Sequence, residues 1–168
     1  MATAIVPAAH RRQPTRSILI AATVVAVLDI LYAIFLYAFV VKVSTPTRVF
    51  QSIAAGVLGK AAFQGGTPTV ILGGALHFLI ACIWTLIYFV LVRRFPSLRE
   101  RVRVKSGAIT VGLLYGAFVH LMMNLVVIPL SQIHRWPDFD WDFWLNIFQQ
   151  AVMVGLPIAL IVRDGERT

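Results

Sequence analysis

Six polar side chains stand inside otherwise apolar stretches of this chain: Asp29, His77, His120, Asn124, Gln149 and Gln150. An imidazole changes charge near neutral pH, a carboxylate supplies a counter-charge, and an amide both donates and accepts hydrogen bonds. Such a set suits the binding of a proton, an ion or a small polar ligand better than the cleavage of a bond. Spacing adds to residue type. In "GLLYGAFVHLMMN", Gly112, Gly116, His120 and Asn124 recur every fourth residue and so share one face of a helix, and Gly73, His77 and Ala81 repeat the pattern earlier in the chain. Small residues mark places where helices approach each other, so both histidines are expected to face neighbouring helices rather than lipid.

The elements that must carry these residues follow from composition. Of 168 residues 59% are hydrophobic and 13% charged, and mean hydropathy is +0.83, too apolar for an ordinary soluble domain. Four runs reach the ~20 residues needed to cross the hydrocarbon: 17–41, 68–92, 106–130 and 143–162. A cleaved secretory signal is the competing account of the first run, but the run is too long and carries Asp29 in its middle. The expected fold class is all-α: a polytopic membrane protein with four transmembrane helices. At ~1.5 Å of rise per residue, Asp29, His77, His120 and the Gln149–Gln150 pair lie within about 5 Å of one depth. An ionisable residue at that depth costs about 2.5–3.5 kcal/mol on insertion scales and finds relief in a partner inside the protein.

The net charge of +8 would suggest nucleic acid in a soluble protein, but here the charges gather between the apolar runs. Eleven Lys and Arg fall in the arm 1–16, the segment "RRFPSLRERVRVK" (93–105) and the tail 163–168, against four on the other side: Lys42, Arg48, Lys60 and Arg135. The excess of positive charge places both termini and the 93–105 loop in the cytoplasm. Anionic lipid headgroups are then the natural counter-charge, and nucleic acid is not needed as a partner.

Between the first two spans, residues 46–63 carry Val49, Phe50, Ile53, Val57, Leu58 and Ala61 at helical spacing, with Pro46 suited to a first turn. This reads as an amphipathic helix, interfacial or re-entrant, on the outer side. Its second stripe, Ser52, Ala55, Gly56, Gly59 and Ala62, is small enough for close approach to a span. The Gly65–Gly66 turn after it would gate access from outside. In the outer loop 131–146, Trp136, Trp141 and Trp144 suit the headgroup layer, and an aspartate ahead of the fourth span suits a helix cap. Three alternating aspartates, Asp138, Asp140 and Asp142, are only a weak cation signal, and no metal is expected.

Sequence patterns of hydrolases and nucleotide binders are missing: there is no G-x-S-x-G, H-E-x-x-H or Walker loop. The single cysteine, Cys82, lies in an apolar run and suits a core position better than catalysis. No catalytic residue and no cofactor is therefore assigned. One alternative has His77 and His120 as the axial ligands of a haem b, with glycines clearing room for the macrocycle.

The segments "RVFQSIAAGVLGKAAFQGG" (48–66), "LHF" (76–78), "MNLVVIPLS" (123–131) and "GLPIALIVR" (155–163) resemble small bacterial inner-membrane proteins of the YagU-like family. The resemblance implies four spans in a bacterial inner membrane and supplies no catalytic residues. The expectation is a non-enzymatic integral membrane protein whose buried polar layer binds a small ligand or proton. The alternative is an accessory or scaffold subunit, partnered by another membrane protein or a second copy, whose polar layer only fixes helix packing.

Overall fold

The computed structural model describes residues 14–165, and among these all regular structure is helical. Most of the N-terminal arm and the last residues of the tail lie outside the described residues. Helix α1 (Pro14–Ile34) continues through a widened π turn (Phe35–Val40). Helix α2 (Pro46–Leu58) ends in a 3₁₀ segment (Gly59–Gln64) and leads into α3 (Gly66–Arg94). A short α4 (Pro96–Arg103) precedes α5 (Lys105–Met122), which runs through a π turn (Met123–Val127) into α6 (Ile128–Leu130). After an irregular loop, α7 (Trp141–Gln150), a π turn (Ala151–Gly155) and α8 (Leu156–Gly165) form the last rod. Four of these rods are long and apolar enough to cross a membrane: Thr15–Val40, Gly66–Arg94, Lys105–Leu130 and Trp141–Arg163. Large apolar side chains such as Leu31, Ile71, Leu114 and Phe148 are exposed along them.

The segment 93–105, read from sequence as a loop, contains helix α4. Pro96 opens that helix, where its missing N–H costs nothing, and Val102 is buried against the bundle. Two of the three π turns inside the long rods also have a sequence cause. The π turns Met123–Val127 and Ala151–Gly155 lie just ahead of Pro129 and Pro157. A proline in a helix cannot donate to the carbonyl four residues back and crowds it, so the preceding turn widens.

At the end of the bundle that carries α4, the rods pack tightly. Ala21, Val25, Tyr88, Val92, Tyr115, Val119, Val154, Ile158 and Val162 form one buried cluster. Tyr115 Oη donates to the Trp84 carbonyl at 2.6 Å, and its ring meets Tyr88 edge-on at 5.0 Å. The third and fourth rods cross on glycine. A Cβ at Gly116 would overlap the Gln150 carbonyl, and one at Gly155 would overlap the backbone of Gly112 and Gly116, so backbone touches backbone there.

At the opposite end α2 lies across the rods. Thr45 caps it by accepting from the Arg48 N–H at 3.3 Å. Buried Gln51 donates to Thr69 Oγ1 at 3.3 Å, tying α2 to the start of α3. Between the two, Gly66 adopts φ +58°, the left-handed turn that glycine accepts without strain. The buried residues of α2 are Val49, Gln51, Ala54 and Ala55. Of the small stripe expected from sequence, Ser52, Ala55, Gly56 and Gly59 line a cavity beneath the helix, and Ala62 is buried away from it. The Gly56 carbonyl accepts the Gln132 N–H at 3.0 Å, joining α2 to the loop ahead of α7.

A polar cavity as the candidate functional site

Beneath α2 and that loop the four rods enclose a cavity of about 940 Å³, within the size range of small-molecule sites. All six residues singled out from sequence line it: Asp29, His77, His120, Asn124, Gln149 and Gln150. They are placed by different rods, so the cavity exists only when all four have assembled.

The six form separate groups. On α1, Asp29 Oδ1 accepts from Gln149 Nε2 at 3.0 Å and from Gln150 Nε2 at 3.2 Å, a link between α1 and α7. On α3, His77 Nε2 donates to the Ala26 carbonyl at 2.9 Å, one helical turn from Asp29. The acceptor is a carbonyl, so the bond itself fixes the proton on Nε2, and the ring lies within electrostatic reach of Asp29. On the third rod, Asn124 Nδ2 donates to the His120 carbonyl at 3.0 Å and sits 3.4 Å from that residue's Nδ1. The His120 ring is 5% exposed and meets the Phe143 ring edge-on at 4.8 Å. The paired depths and faces expected from sequence thus deliver one cavity wall but not one continuous hydrogen-bonded chain.

A fourth group was not assigned to the site from sequence. Tyr37 Oη donates to Asp142 Oδ2 at 2.8 Å, and Asn146 Nδ2 donates to Tyr37 Oη at 3.1 Å and to the Asp142 carbonyl at 2.8 Å. Tyr32 lies within electrostatic reach of both Asp29 and Asp142. Asp142 reads as part of a headgroup loop when the fourth span is begun at 143. Because α7 begins at Trp141, Asp142, Asn146 and Gln149–Gln150 fall on one helical face. That spacing was the available signal. Each π turn carries or abuts a polar residue of the wall: Tyr37, Asn124 and Gln150. Widened turns of this kind redirect side chains and recur at functional sites.

The three aspartates of the outer loop are each engaged separately. Asp138 pairs with Arg135 at 2.9 Å, Asp140 caps α7 by accepting the Phe143 N–H at 3.1 Å, and Asp142 faces Tyr37. No group of three or more His, Cys, Asp or Glu side chains able to hold a metal ion occurs among the described residues. As haem ligand, His77 would have to release the Nε2 bond to Ala26, since that nitrogen is the usual donor to iron. Compared with family models, curated proteins and solved structures, the chain matches none.

Proposed function

We propose that this chain is a non-enzymatic, multi-pass protein of a bacterial inner membrane, with both termini cytoplasmic, whose cavity binds a small ligand or proton and opens to the outer side. The observation that carries the reading is the cavity itself, lined from all four rods by Asp29, His77, His120, Asn124, Gln149 and Gln150. The exposed apolar faces of the rods suit acyl chains. The basic residues at the α4 end support a cytoplasmic position for it by the positive-inside rule, and the resemblance to YagU-like proteins supports the bacterial inner membrane. An accessory subunit whose polar layer serves packing alone would be better served by side chains that close on one another than by a wall around open space.

The test is cysteine accessibility in intact cells, in a Cys82→Ser background. Asn124→Cys is expected to react with a small membrane-impermeant thiosulfonate added outside, and Ile158→Cys, in the packed half, is not. If Asn124→Cys stays unlabelled while Ser52→Cys under α2 reacts, the polar layer is not an outward-open site and the proposal fails.

A further inference from the structure

Resting on that reading of the cavity as a ligand site, we infer that its ligand is a small organic ammonium cation held between Asp29 and Asp142. Two independent observations lead to this class.

The first concerns which hydrogen-bonding groups the wall has left to offer. Several of its side-chain donors are directed at the protein: Gln149 and Gln150 at Asp29, Tyr37 at Asp142, Asn146 at Tyr37 and a backbone carbonyl, Asn124 and His77 at carbonyls. Lone pairs are left over. Asp142 Oδ1 and Gln150 Oε1, which only accept, are buried without a hydrogen-bond partner, as is Tyr32 Oη, which accepts or donates, and both bonds to the Asp29 carboxylate end on Oδ1, leaving Oδ2 free. A wall rich in acceptors is complementary to a ligand rich in N–H donors, and an anion would meet lone pairs with lone pairs.

The second concerns charge. Among the described residues neither Asp29 nor Asp142 is paired with a lysine or arginine; the cavity's Lys and Arg are Lys60 and Arg135, the latter already paired with Asp138. Two carboxylates on one cavity wall make that wall acidic, and a bound cation supplies the counter-charge. The cation is organic because much of the wall is apolar or aromatic, including Trp84 and Phe143, whose ring faces favour ammonium groups. No cluster of ligands for a metal ion is present among the described residues.

The experiment uses the full chain in detergent, with 1,4-diaminobutane and propylammonium as probes, and sodium chloride and sodium succinate as controls at matched ionic strength. Thermal unfolding and tryptophan fluorescence are followed. Saturable stabilisation by the ammonium probes alone is expected, weakened at least tenfold in Asp29→Asn and in Asp142→Asn and retained in Asp29→Glu, which keeps the charge. The inference is overturned if succinate stabilises, if sodium alone stabilises as much as the amines, or if both neutral variants bind as the parent does. Should Asn124→Cys label from outside while no amine binds, the ligand class falls and the cavity reading stands. If that cysteine is silent, the cavity reading falls first.

Discussion

The two ends of this bundle are made from the same four rods and differ in what fills them. Toward α4, Ala159, Ile158, Ala108 and Thr85 are wholly buried, and the third and fourth rods touch through Gly112, Gly116 and Gly155. Toward α2, Asp29, His77 and Asn124 are only half-buried, because their other side opens on a cavity of about 940 Å³. Overall apolarity does not separate the halves. Close backbone contact does: glycine and alanine bring the third and fourth rods together at one end, whereas ionisable and amide side chains line open space at the other. The packed half lies at the α4 end of the cavity, which makes the cavity a cup rather than a pore. A cup open to one side can hold a ligand, and it can pass one across only if the packed half rearranges.

Breaking the packed half should therefore have the largest effect. In Gly155→Val the new side chain would overlap the Gly112 and Gly116 backbone, and overpacking of that severity costs about 3 kcal/mol or more. The expected outcome is loss of monodisperse protein on size-exclusion chromatography. A milder probe compares one substitution in both halves. Ile158→Ala removes a fully buried side chain and should cost about 2–5 kcal/mol. Ile80→Ala, in the cavity wall, removes a side chain that already faces open space and should cost about 1 kcal/mol. Equal losses on unfolding in mixed micelles would mean that the two halves are packed alike.

The contrast was only partly legible in the sequence. Span length and apolarity point to four long helices because each rod satisfies its own backbone and needs no distant partner to be recognised. Four-residue spacing was enough to put Gly116 and His120 on one face of α5. What spacing cannot convey is how far apart two such faces stand, so a closed polar network and a lined cavity look identical in one dimension. Two of the π turns were readable in principle from Pro129 and Pro157, each inside an apolar run, but proline in such a run reads equally well as a boundary. Asp142 escaped for a related reason: a start placed two residues late moves it from a helical face into a loop. Helix α4 escaped because its burial rests on Val102, one side chain in a strongly charged stretch.

The smallest expected effect sharpens the comparison most. Asp29 Oδ1 receives two amide donors from α7, so the layer could serve the bundle by binding α1 to α7, as the packed half does by apolar contact. A double-mutant cycle of Asp29→Ala and Gln149→Ala isolates that link. Interhelical hydrogen bonds in membrane proteins average about 0.6 kcal/mol, and here Gln150 remains to donate to the same oxygen when Gln149 is removed. The coupling should therefore be about 0.6 kcal/mol or less, far below the loss at Ile158. A coupling above about 2 kcal/mol would exceed the largest such bonds measured. It would make the polar half a structural joint in its own right, and the carboxylate would then be retained for assembly rather than for what enters the cavity.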